Sequence, residues 1–124
     1  MALILIIEDA LLTRTMLKKA LQALEHTVLE ASNGLKGLEI LEQQQPDCIF
    51  VDLLMPEIDG WQFLAELQKR DSTIPVFVVS ADIQKTSHQR CLKLGAWDVL
   101  RKPPQPQELK DAIAKALSVK EEIS

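Results

Sequence analysis

The sequence predicts an α/β domain built on a parallel sheet. Three observations carry this. Short apolar runs recur along the chain, amphipathic stretches of helical period separate them, and turn signals fall at the junctions. The runs are continuous rather than alternating, as expected of strands buried on both faces by helices.

The first run, Leu3 to Ile7, reads as strand one, and Leu12, Met16, Leu17, Ala20, Leu21 and Leu24 then mark helix one. Thr27 to Ala31 forms a second strand of weaker pattern. Asn33-Gly34 turns the chain into a helix striped by Leu35, Leu38 and Leu41, which Pro46 ends. Cys48 to Val51 is strand three and runs straight into Asp52. Helix three follows Gly60 with Trp61, Leu64, Ala65 and Leu67, and stops near Asp71-Ser72. Pro75 admits strand four, Val76 to Val79. A more polar helix then closes at Gly95, placed to cap its C-terminus. Val99-Leu100 make a short fifth strand, Lys102-Pro103-Pro104 turn the chain, and Leu109, Ala112, Ile113, Ala116 and Leu117 stripe the last helix.

At 124 residues the chain is read as one domain, 1–124, with 118–124 as a fraying tail or a cut point from a longer protein. It is 47% apolar and 26% charged, the balance of a soluble globular chain. Fourteen basic against 18 acidic residues leave a charge of -4, which argues against a nucleic-acid surface. No secretory leader or membrane-length apolar run is visible, so the expected compartment is the cytoplasm. Cys48 and Cys91 lie in apolar and helical patterns and read as buried small residues rather than a disulfide.

The stretch VDLLMPEIDG puts a carboxylate at the end of a buried strand. Alone, Asp52 could open a helix, complete a turn, bind a cation or react. In an open parallel sheet, however, ligands gather beyond the carboxyl ends of the strands. Glu8 and Asp9 follow strand one, Asp52 ends strand three, Ser80 ends strand four and Lys102 follows strand five, so all five converge on one rim. Clustered carboxylates invite protonation or a cation, and an all-oxygen set favours a hard ion such as magnesium. Lys102 and the Ser80 hydroxyl suit an anion. Together they fit phosphoryl handling.

Glu8-Asp9, Asp52 followed by Met55-Pro56 and Asp59-Gly60, Ser80-Ala81, Gly95-Ala96 and Lys102-Pro103, in this order and spacing, resemble the receiver domain of two-component response regulators, of the single-domain type found in chemotaxis. The resemblance spans essentially the whole chain. It implies a flavodoxin-like (βα)5 three-layer sandwich of strand order 2-1-3-4-5, with a cis Lys102-Pro103 bond. It also implies Asp52 as phosphoacceptor, Ser80 and Lys102 as contacts to the phosphoryl oxygens, and Mg2+ (with Mn2+ as a substitute) held by Glu8, Asp9, Asp52 and the Leu54 backbone carbonyl. Asp9 is the closer candidate for direct metal contact, and Glu8 for contact through water.

The implied donor is a histidine kinase or histidine phosphotransfer protein. The output is a downstream protein partner or effector domain, with a phosphorylation-linked homodimer as one form and no direct nucleic-acid contact or membrane insertion. Phosphotransfer and dephosphorylation would be self-catalysed, without conventional multiple turnover. The alternatives are a receiver cut from a multidomain regulator, a phosphorylation-independent pseudo-receiver that only binds, and an aspartyl-phosphate hydrolase. The last is disfavoured because Leu54, not an aspartate, stands two residues after Asp52.

The chain departs from the family pattern at several places. Val99 stands three residues before the lysine, where Tyr or Phe is usual, so a swinging ring is not available for switching. Trp97 offers either packing against the fourth or fifth helix or an exposed aromatic anchor for a partner. Leu54 has no polar group to manage water, and Asp82 lies two residues past Ser80. His26 and His88 read as edge and surface residues, Trp61 as packing for its helix, and Met55 as a loop or core filler.

Overall fold

The structure is a computed structural model that describes residues 1–55, 57–81 and 84–123, the side chains of residues 85, 86 and 120–123 excepted. Pro56 and Asp82 therefore lie outside the described residues. The elements alternate: β1 (Leu3–Ile7), α1 (Leu11–Ala23), β2 (Thr27–Ala31), α2 (Gly34–Gln43), β3 (Cys48–Asp52), α3 (Gly60–Lys69), β4 (Val76–Ser80), α4 (Lys85–Lys93), β5 (Asp98–Arg101) and α5 (Pro106–Ile123). All four strand pairings are parallel, in the order β2-β1-β3-β4-β5.

Strand side chains alternate between two cores, as the two-residue period requires. Leu5, Ile7, Ile49, Val51, Val76, Val78 and Val99 pack with Leu38, Phe63, Leu64, Leu67 and Cys91 of α2, α3 and α4. Ile4, Ile6, Cys48, Phe50, Phe77, Val79 and Leu100 pack with Leu17 and Leu21 of α1 and with Leu109, Ala112, Ile113 and Ala116 of α5. Phe50 and Phe77 stack at 5.5 Å on this second face, and Trp97 meets Phe77 edge-on at 6.2 Å. The half-buried Trp97 thus extends an aromatic row across β3 and β4. Burying one phenylalanine side chain contributes about 1.5–3 kcal/mol. β2 has the weak pattern of an edge strand, with Thr27 and Glu30 exposed. The thiols of Cys48 and Cys91 are free and buried, and burial pushes the Cys48 thiol up to about 12.

Turn chemistry sets the helix ends. Asn33 Oδ1 accepts from the Lys36 N–H at 2.8 Å and opens α2. Asp59 and Gln62 exchange side-chain and backbone hydrogen bonds at 2.9 and 3.0 Å, a capping box that opens α3. At the far end of α4, Gly95 takes φ of +102°. Its N–H reaches the Leu92 carbonyl at 3.1 Å and the Ala96 N–H reaches that of Cys91 at 3.0 Å. This is a Schellman closure, in which glycine avoids the Cβ cost of the left-handed region. α5 continues past Leu117, where the apolar stripe ends, as helical backbone to Ile123; Lys120, Glu121 and Glu122 are residues of good helix propensity.

Gly60 serves close approach. Its N–H donates to the Leu53 carbonyl at 2.8 Å, and a Cβ here would stand 2.7 Å from both the Asp52 carbonyl oxygen and the Leu53 Cα. Both are backbone atoms that cannot move without moving the end of β3. Gly60→Ala is therefore expected to destabilise the fold by about 1–3 kcal/mol, the range for overpacking, measured as a lower urea midpoint.

His26 Nδ1 accepts the Ala2 N–H at 3.1 Å, an edge role of the kind expected for it. Partial burial, then the N-terminal ammonium, hold the imidazole below its ordinary value, against the pull of Glu25. Below the unfolded value of about 6.5 the unfolded chain binds more protons at this site, so the site's contribution to stability falls as pH drops through that window. His26→Asn keeps an acceptor and does not titrate. It is expected to narrow the stability loss between about pH 7.5 and about pH 5.5, measured by denaturant unfolding at both; an unchanged loss would assign it elsewhere.

Candidate functional site

Parallel pairing brings the strand ends into register at one rim. Ile7 lies opposite Val51, Asp52 opposite Val79, and Ser80 opposite Arg101. The chain leaves each strand there, so Glu8, Asp9, Asp52, Ser80 and Lys102 occupy adjoining strand ends as the sequence predicts.

Glu8, Asp9 and Asp52 each bring a carboxylate oxygen within 4.8 Å of the others. Glu8 and Asp52 are buried, 4% and 8% exposed, whereas Asp9 is open to solvent. Lys102 Nζ stands between the buried pair, 2.9 Å from Glu8 Oε2 and 3.1 Å from Asp52 Oδ2. Its backbone N–H donates to the Ser80 carbonyl at 2.9 Å, tying β5's end to β4, and the Lys102–Pro103 peptide is cis. Ser80 is buried at the same rim. Burial pushes the Glu8 carboxyl above the ordinary carboxylate value; the Lys102 hydrogen bond opposes this and the Asp52 carboxylate adds to it. For Lys102, burial is the largest single influence and works against the charge. The hydrogen bonds to Glu8 and Asp52 together outweigh it and hold the ammonium above the usual lysine value.

Arg14 is a supporting residue that the sequence did not single out. Its Nη1 donates to the Glu8 carbonyl at 2.9 Å and its Nε reaches Glu30 Oε1 at 3.4 Å, fastening α1 to the acidic loop. A polar residue one turn into a helix carries no sequence signal for such a contact. The Leu54 side chain is 74% exposed beside the site. Met55 and Trp61 pack against the α2–α4 core. Val99 is buried in that core with Cys91 and Ala96. A cleft of about 330 Å³ opens next to the carboxylates, walled by Met16, Phe50, Val79, Pro104 and Leu109.

A family description for the response regulator receiver domain matches residues 4–114. The chain belongs to the response regulator receiver family. It is 34% identical over 114 residues to the chemotaxis protein CheY of Listeria monocytogenes, an alignment covering 91% of this receiver and 96% of that protein. It is 32% identical over 121 residues to the sensor histidine kinase CheAY of Helicobacter pylori, of which the match spans only 15% while covering 94% of this chain. The receiver domain of a sensor histidine kinase of Pseudomonas aeruginosa, crystallised with a magnesium ion in its active-site cleft, superposes with a TM-score of 0.84 at 25% identity, covering 94% of this chain and 98% of that one. The function of this receiver is phosphorylation-based signalling. Among the described residues, no helix is long and apolar enough to cross a membrane.

The raised Glu8 carboxyl gives a sign. Between the ordinary carboxylate value and the raised folded one, the folded receiver holds more protons at Glu8 than the unfolded chain. The Glu8 contribution to stability therefore declines as pH rises through that window. In metal-free buffer, Glu8→Gln is expected to be more stable than the parent near neutral pH, with the gap closing toward about pH 4.5. Denaturant curves across this range test it; a gap independent of pH would point to packing instead.

Proposed function

We propose that Asp52 is the phosphoacceptor of this receiver and that Glu8, Asp9, Asp52 and the Leu54 carbonyl hold Mg2+. The observation that carries this reading is the buried Asp52 carboxylate at the end of β3, 3.1 Å from the Lys102 ammonium and clustered with the carboxylates of Glu8 and Asp9. An all-oxygen set with several carboxylates fits a hard, partly hydrated ion, and Mn2+ would substitute. Bound there, Mg2+ supplies positive charge to offset the phosphoryl oxygens.

An Asp52 oxygen attacks the phosphorus of a phosphohistidine. The new O–P bond forms as the P–N bond breaks, and the histidine nitrogen keeps the electron pair. Lys102 moves from an Asp52 oxygen to a phosphoryl oxygen, and the Ser80 hydroxyl donates to another. Water later attacks the phosphorus, releasing inorganic phosphate and restoring the carboxylate. The new contacts bias a pre-existing alternative surface, and the output is a changed protein contact.

The donor is a histidine kinase or histidine phosphotransfer protein. Any donor must bring its phosphorus to Asp52, so it docks on this rim. Exposed Leu11, Leu12 and Met16 of α1, with Leu54 across the site, give it an apolar collar. Trp97 and Val99 belong to the output side, Val99 by packing beneath α4 and Trp97 through its half-exposed ring.

Acetyl phosphate with Mg2+ is expected to add one phosphoryl group to the intact mass. The gain is lost on chelation of the metal and absent in Asp52→Asn. A gain that persists in Asp52→Asn would remove Asp52 from this role. Absence of both phosphorylation and Mg2+ binding in the parent would leave a module that only binds.

A further inference from the structure

We propose that α3 latches α4 in its unphosphorylated position through Trp61–Arg90 and Gln68–Lys93, and that phosphorylation of Asp52 releases the latch. This rests on the receiver reading above. The Arg90 guanidinium carbon lies 4.2 Å from the centroid of the Trp61 ring, well within cation–π range. Two turns along α3 on the same face, Gln68 Nε2 donates to the Lys93 carbonyl at 3.1 Å. The Arg90 side chain and the Lys93 carbonyl both belong to the C-terminal half of α4, so the two contacts form a single seam between the helices.

α3 is the fixed side of this seam. Its first turn is bound to the end of β3 by the Gly60–Leu53 hydrogen bond and closed by the Asp59–Gln62 capping box. Phe63, Leu64 and Leu67 bury its inner face. α4 is the lightly held side. Among its described side chains Cys91 alone is fully buried, and its N-cap residue Gln84 makes no side-chain cap. α4 is also the next element in the chain after the strand that ends in Ser80, the residue that turns toward a phosphoryl group on this reading. Val99, beneath α4, has no ring to move. Among the described residues, the packing of Cys91 and the 3.8 Å approach of His88 Nε2 to Asp98 Oδ1 hold α4 to the sheet, and the seam adds a restraint from the α3 side.

The latch is closed here, where Lys102 still pairs with the unmodified Asp52. It therefore favours the unmodified state, and by linkage its removal tightens binding of any phosphoryl mimic. A half-exposed cation–π contact is worth about two- to five-fold in such an equilibrium.

The test is titration with beryllofluoride at saturating Mg2+, followed by fluorine NMR, on the parent, Arg90→Gln, Trp61→Leu and the double variant. Each single variant is expected to bind the mimic about two- to five-fold more tightly, and the double no more tightly than either single. Loss of a positive charge by itself weakens anion binding, so the expected sign is opposite to that of simple electrostatics. Arg90→Lys, which keeps the charge without the planar group, and Trp61→Phe, which keeps a ring, fall between the parent and the full removals; they also carry the test if Trp61→Leu does not fold. Unchanged or weaker binding by Arg90→Gln, or additive effects of the two substitutions, overturns the latch while leaving the receiver reading intact. Failure of the parent to bind the mimic overturns both.

Discussion

The ammonium of Lys102 holds two carboxylates together in a place where neither is well solvated. Glu8 and Asp52 sit in the rim of the sheet with almost no exposed surface, and without the cation between them their mutual repulsion would add to the cost of burial. The arrangement spans the sheet, since Glu8 follows β1, Asp52 ends β3 and Lys102 follows β5. Forming it requires β1, β3, β4 and β5 to be in register to within a residue, and the site reports on the fold as a whole. It is also poised for exchange. The lysine's hydrogen bonds are committed to carboxylate oxygens that a phosphoryl group can replace with oxygens of its own.

The parallel sheet makes this economical. Its hydrogen bonds and two apolar cores fix the strand ends, while the chain must leave each strand at the same edge. Polar residues placed one position beyond the last apolar residue are brought together without any motif contiguous in sequence. Gly60 then sets how near the next helix can lie, and Arg14 ties the acidic loop to α1.

Much of this was legible in the chain. The uninterrupted runs from Leu3, Cys48 and Val76 identify strands buried on both faces, and the polar residues that end them identify the rim. Ser80 and Lys102 stand out because strand ends in such a sheet converge. The apolar pattern of β5 shows only Val99-Leu100, because Asp98 and Arg101 lie at the sheet's edge and carry polar side chains. The aromatic row from Phe50 through Phe77 to Trp97 was not legible, because each ring belongs to a different segment and the register that aligns them is tertiary. The same holds for Arg90 over Trp61. A helix pattern shows which face is apolar, but not which charged side chain of a neighbouring helix lies across a ring.

The two ends of α4 are built unequally. Its C-terminus is closed by the hydrogen bonds around Gly95 and fastened where the Trp97 N–H meets the Val76 carbonyl at 2.8 Å, whereas its N-cap residue Gln84 makes no side-chain cap. At a rise of about 1.5 Å per residue the helix is about 13 Å long, so a tilt of about 5° shifts one end by about 1 Å relative to the other. The N-terminal end is the one nearer Ser80 in the chain. A displacement the size of one hydrogen-bond adjustment at the rim is then enough to reorient the whole outer surface of the helix, with the sheet beneath it unmoved.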